Sequence, residues 1–99
     1  MDLAELTERV KGALAASGFD NSVKFDFGDD GLLYIDGASK TATNTDADAD
    51  ATISVGFDDF KKMAKGELDP TQAFMLGKLK VAGDMGVALK LQSLFANLA

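Results

Sequence analysis

The stretch GKLKVAGDMGVALKLQSLFANL (residues 77–98) changes its period in the middle. Lys78-Leu79-Lys80-Val81 alternates polar and apolar, the period of a strand with one buried face. Asp84 can cap a helix, which then runs from Met85 to about Leu98. At about 100° per residue, Gly86, Lys90, Ser93 and Asn97 fall in one narrow polar sector of that helix. The remaining apolar arc spans roughly 220°, where a helix packed on one core needs somewhat over 100°. One side of the helix can pack on a sheet. The other must meet something else: the short helical segments near residues 58–76, a partner, a membrane or a ligand. Gln92 falls inside the arc, either as a backbone-bonded core group or as a handle for a ligand's polar end.

Upstream, Phe57, Phe60, Met63 and Ala64 share one face of a helix that starts near Asp58 and stops at Gly66. Pro70 can open a further short helix carrying Ala73, Phe74 and Leu76 up to Gly77. The N-terminal half begins with a helix over residues 2–17, striped by Leu3, Leu6, Val10 and Leu14 and stopped by Gly18. Val23, Phe25 and Phe27 alternate with Lys24 and Asp26 as a strand. Gly28-Asp29-Asp30-Gly31 reads as a hairpin turn into a return strand, Leu32 to Asp36. Residues 39–44 and 51–56 read as third and fourth strands. The order α-β-β-β-β-α-α-β-α implies an α/β (α+β) fold: a five-stranded, mostly antiparallel sheet with helices gathered on one face.

The chain has 99 residues, is 46% hydrophobic, and shows no linker or internal repeat, so residues 1–99 are read as one domain. Size scaling gives roughly 5,400 Å² of folded surface against about 15,000 Å² unfolded, enough burial for one core without staples. Sixteen acids against ten cations give a net charge of −6 and a pI near 4.4, which argues against a nucleic-acid partner. Cysteine and histidine are both absent. That excludes disulfides, thiolate nucleophiles, the Ser-His-Asp triad and most zinc sites. No stretch reaches the 18 or so apolar residues that span a bilayer. The acidic N-terminus lacks a secretory pattern, and Asn97-Leu98-Ala99 is not a peroxisomal address. The expectation is a cytoplasmic monomer.

Asp46-Ala-Asp-Ala-Asp50 resembles a calcium loop only at its start, because Ala51 and Phe57 stand where glycine and glutamate are required. Asp26-Phe27-Gly28 matches the kinase magnesium tripeptide, but the other kinase parts are missing. Gly77-Lys78 lacks the earlier glycine of a phosphate loop. Asp58 and Asp59, the obvious paired carboxylates, point about 100° apart on a helix and do not converge. No cofactor or metal is expected. Lys61, Lys62, Lys65, Lys78 and Lys80 concentrate positive charge, either as a solvated face or as a patch for transient contact with an anionic membrane surface. Met63, Met75 and Met85 with Phe57, Phe60, Phe74 and Phe95 suit an ordinary core, or a cavity for an acyl chain or rigid polycycle.

One set of motifs is more specific. Asp50-Ala-Thr-Ile-Ser, Asp59-Phe60, Gly66-Glu-Leu-Asp-Pro-Thr-Gln-Ala-Phe74, Gly77-Lys-Leu-Lys-Val-Ala-Gly-Asp-Met85 and Ala88-Leu-Lys-Leu91 together resemble the sterol carrier protein type-2 family over residues 48–95. The first half fits by element order and length. The resemblance implies helices enclosing an apolar tunnel that binds fatty acids, acyl-CoA esters, sterols or similar lipids without chemical change. It implies a tunnel lined from Phe60, Met63, Phe74, Met75, Leu79, Val81, Met85, Leu89 and Phe95, with Gln92 added from the apolar arc. The short turns and the missing peroxisomal signal look more like a bacterial member than a eukaryotic one. The expected function is therefore non-catalytic lipid carriage. The alternative is a protein–protein interaction module using the same apolar surface.

Overall fold

The computed structural model describes residues 2–98; the side chains of Gln92, Ser93, Ala96, Asn97 and Leu98 lie outside the described residues. Helix α1 (Leu3–Ser17) is capped by Asp2, whose carboxylate accepts from the Glu5 backbone N–H at 2.8 Å. It ends where Gly18 takes a left-handed conformation, φ 71°. Its stripe of Leu6, Val10, Ala13 and Leu14 is buried. The strands are β1 (Ser22–Asp26), β2 (Leu32–Asp36), β3 (Thr41–Thr43), β4 (Ala51–Val55) and β5 (Leu79–Gly83). Helices α2 (Phe57–Ala64), α3 (Pro70–Met75) and α4 (Met85–Leu98) complete the fold. The turn between β1 and β2 is a short 3-10 segment over Gly28–Asp30, closed by the Phe27 N–H donating to the Gly31 carbonyl at 2.9 Å.

The five strands form one mixed sheet in the order β3-β2-β1-β4-β5. The central pair, β1 and β4, is parallel; β1–β2, β2–β3 and β4–β5 are antiparallel. The sheet's inner face buries Val23, Phe25, Leu33, Ile35, Ala42 and Ile53. Helix α4 packs on that face and on α1, burying Val87, Leu91, Leu94 and Phe95. The centre of the core is aromatic. The Phe60 ring lies edge-on to Phe25 at 4.7 Å and to Phe95 at 5.5 Å, and Phe25 and Phe95 are 6.0 Å apart. These three rings join the sheet, α2 and α4, each pair adding about 0.5–1.5 kcal/mol beyond its buried area.

The segment between β3 and β4 is fastened to β1 twice. Lys24, on the strand face opposite Val23 and Phe25, donates to Asp46 Oδ1 at 2.8 Å. Asp50 Oδ2 accepts from the Ser22 N–H at 3.2 Å and Asn21 Nδ2 at 3.5 Å, while its own N–H donates to Ser22 Oγ at 2.8 Å. The Asp50 carbonyl also accepts from the Asp84 N–H at 3.0 Å, which ties the start of α4 to the start of β4. Gly83 is required there. Its φ is +98°, and a Cβ would lie 2.6 Å from that same carbonyl. Asp46, Asp48 and Asp50 do not gather into a cation loop, since Asp46 and Asp50 serve these separate contacts.

The Ser22 backbone N–H, with Asn21, holds the Asp50 carboxyl below its ordinary 3.8. A group with a depressed folded pKa stabilises fully above its unfolded value and loses that contribution as pH falls through the folded one. Asp50→Asn should therefore lower the urea midpoint at neutral pH. Its deficit against the parent should close as both are acidified well below 3.8. A deficit independent of pH would contradict the assignment.

Candidate functional site

Register and helix spacing build one apolar pocket. In the β4–β5 ladder, Ile53 pairs with Val81 and Val55 with Leu79, so all four project toward the helices. Ile53, Leu79 and Val81 form the pocket's floor. Met85, Ala88, Leu89, Leu91 and Phe95 of α4 form one wall, and Pro70, Thr71 and Phe74 of α3 form the other. The cavity measures about 150 Å³. Thr71 supplies its single polar lining side chain among the described residues.

The two walls differ in how firmly they are held. Leu91 and Phe95 are 2% and 6% exposed and belong to the core as well as to the pocket. Met85 and Leu89 are exposed on the pocket side. The wide apolar arc of α4 is thus divided between a core-facing side and a pocket-facing side. Helix α3 is six residues long. Asp69 caps it, accepting from the Thr71 and Gln72 N–H groups at 2.8 and 3.4 Å, and Pro70 fits its first turn without losing a hydrogen bond. Ala73 is its one buried residue.

Of the residues the sequence singled out, Phe74, Leu79, Val81, Met85, Leu89 and Phe95 line this pocket. Phe60 and Met63 do not; they are buried in the core, with Phe60 at its aromatic centre. Met75 is not among the lining residues and is largely exposed. The side chain of Gln92 lies outside the described residues. Ile53, Pro70, Thr71, Ala88 and Leu91 also line the pocket, beyond the residues expected from the sequence. Ala88 and Leu91 were visible in the apolar arc. Ile53 becomes a lining residue only once its register with Val81 is known.

A second, open cleft of about 390 Å³ lies beside Asp26, Ser54, Gly77, Lys78 and Lys80, and its lining mixes both signs of charge. Asp58 pairs with Lys61 at 3.2 Å, and the Lys61 ammonium also sits 4.9 Å from the centre of the Phe57 ring. Among the described residues, no cluster of three or more acidic side chains is placed to hold a metal ion.

Comparison with known proteins gives this architecture a family. A model of the SCP-2 sterol transfer family matches residues 2–96, so the chain belongs to that family. Hydroxysteroid dehydrogenase-like protein 2 of Xenopus tropicalis is 50% identical over 50 residues, half of this chain and 12% of that protein. Human sterol carrier protein 2 is 43% identical over 58 residues, 59% of this chain and 11% of that protein. The matched segment is thus a small part of these relatives. The solution structure of Aedes aegypti sterol carrier protein-2 in complex with the C16 fatty acid palmitate is 20% identical. It superimposes with a TM-score of 0.83, covering 100% of both chains. The SCP-2 fold therefore extends over the whole length of the chain.

The difference between floor and rim can be measured by chemical denaturation. Leu79, 6% exposed, should cost about 2–5 kcal/mol when changed to alanine. Leu89→Ala, at a position 69% exposed, should cost no more than about 0.5 kcal/mol. Equal losses would contradict the placement of one leucine in the floor and the other at the mouth.

Proposed function

We propose that this member of the SCP-2 sterol transfer family binds and carries a fatty acyl chain in the pocket between β4, β5, α3 and α4, without changing it chemically. The observation that carries this reading is the pocket's composition. Ten of its eleven described lining residues are apolar, and Thr71 is the exception among them. Such a lining offers an acyl chain desolvation and dispersion contacts. Among the described residues it holds no carboxylate, amine or thiol to act as acid, base or nucleophile. The palmitate complex of the mosquito relative supports the choice of ligand class.

Size sets a condition on this reading. A cavity of about 150 Å³ is the scale that holds a benzene ring, below the roughly 300–1,000 Å³ of drug-sized ligand sites. A long acyl chain must therefore widen the pocket. The wall that yields at least cost is α3, which buries only Ala73, whereas α4 is fixed by Val87, Leu91, Leu94 and Phe95. The energetics allow it. About 14 methylenes at ~0.8 kcal/mol each supply roughly 11 kcal/mol. Association costs of at least ~4 kcal/mol leave about 7 kcal/mol, an affinity near 10 μM before widening is charged against it.

Two kinds of substitution test the pocket. Ala88→Phe should fill it, and Phe74→Asp or Met85→Asp should place a charge where the chain would lie. Each should reduce palmitate binding, measured by isothermal calorimetry, by roughly tenfold or more. Folded variants with unchanged binding would refute the assignment.

A further inference from the structure

The apolar lining accounts for a ligand's chain; the rim decides what can end that chain. The exposed lining residues are Thr71, Phe74, Met85 and Leu89, so the mouth lies between α3 and the first turns of α4. Ile53, Leu79, Leu91 and Phe95 are buried and lie deeper. A polar head must therefore sit beside the first group, and the tail against the second.

Two carboxylates stand at that rim. Asp69 Oδ1 accepts from the N–H of Thr71, a lining residue, at 2.8 Å and from that of Gln72 at 3.4 Å. Asp84 directly precedes Met85, another lining residue, and its Oδ1 accepts from the Gly86 N–H at 2.8 Å. These backbone donors at the starts of α3 and α4 are the kind of group that holds an anion, and the protein's own carboxylates occupy them.

No cation offsets those charges in the lining. None of the chain's ten lysines and arginines is among the described lining residues. Those nearest in sequence serve other surfaces. Lys78 and Lys80 line the separate cleft beside Asp26 and Ser54. Lys90 follows Leu89, and its Nζ donates to Asn21 Oδ1 at 3.1 Å, just ahead of β1. Thr71 remains the one polar side chain in the described lining. A ligand carboxylate at this mouth is repelled by two like charges, and desolvating it without a partner is costly. An uncharged head meets neither cost, and a hydroxyl both donates and accepts, as a threonine hydroxyl does.

We propose that the pocket selects a lipid whose chain ends in an uncharged, hydroxyl-bearing head, such as a monoacylglycerol, over the free fatty acid of the same chain length. Thr71 Oγ1 bonds the head, and Asp69 and Asp84 disfavour a carboxylate in its place. An ionised fatty acid still enters by its chain, with its carboxylate held out in water. The proposal rests on the acyl-binding reading of the pocket and adds what terminates the chain.

The test is isothermal calorimetry at neutral pH and low salt with two probes of one chain length, dodecanoate and 1-monododecanoylglycerol. The parent should bind the glyceride about tenfold or more tightly than dodecanoate. Asparagine caps a helix as well as aspartate does, so the double variant Asp69→Asn, Asp84→Asn keeps the caps and removes their charge. It should bind dodecanoate about three- to tenfold more tightly than the parent, a gain that shrinks in high salt, and bind the glyceride as the parent does. Thr71→Val should weaken glyceride binding about threefold or more and leave dodecanoate unchanged. Dodecanoate bound by the parent as tightly as the glyceride, or no gain for dodecanoate in the double variant, would overturn the selectivity and leave the acyl pocket standing. Undiminished glyceride binding in Thr71→Val would overturn the role given to Thr71. Binding of neither probe by the parent would overturn the acyl-binding reading, and this proposal with it.

Discussion

The fold depends on how α4 disposes of apolar surface on more than one side. A helix that is apolar over most of its circumference cannot be satisfied by one sheet. Here Val87, Leu91, Leu94 and Phe95 are buried against the sheet and α1, with Phe95 joined to Phe25 and Phe60. That cluster fixes α4 over the sheet. The other side, bearing Met85, Ala88 and Leu89, is left facing α3, a helix of six residues. Six residues cannot cover it, and an apolar pocket is what remains.

The sheet makes the matching half of the pocket by register alone. Antiparallel pairing of β4 with β5 puts Ile53, Val55, Leu79 and Val81 on one face. A slip of one residue would turn Lys80 and Ala82 inward in their place. The contacts at Asp50 and Gly83 hold that register where β5 passes into α4. The rigid floor and the rigid wall therefore meet at one corner, and the thinly buried α3 closes the opposite side. This arrangement suits a ligand that is recognised by area and flexibility more than by polar contacts.

Most elements were legible because each carries its own local signal. The stripe of α1, the alternation Val23-Phe25, the Pro70 start of α3 and the Asp84 cap of α4 are short-range features of the sequence, and the elements stand within a residue or two of the expected bounds. Where the signal was weaker the detail changed: a 3-10 turn joins β1 to β2, and β3 is only three residues long. The strand order was not legible. Nothing local in Ala51–Val55 says that it runs parallel to β1, because that pairing is made across the intervening hairpin and loop. The site shows the same division. The α4 lining could be read from arc width, whereas Ile53 depends on long-range register. Phe60 and Met63 share a composition with pocket residues, and only the packing of α2 places them in the core.

The most direct test of this account is where a bound acyl chain touches the protein, read by intermolecular NOEs from ¹³C-labelled palmitate to the methyl groups. NOEs are expected to Ile53, Leu79, Val81, Ala88 and Leu91, the floor and fixed wall of the pocket. NOEs confined to the outer surface at Met75 and Leu76, or a chain that binds with none to the floor methyls, would contradict it.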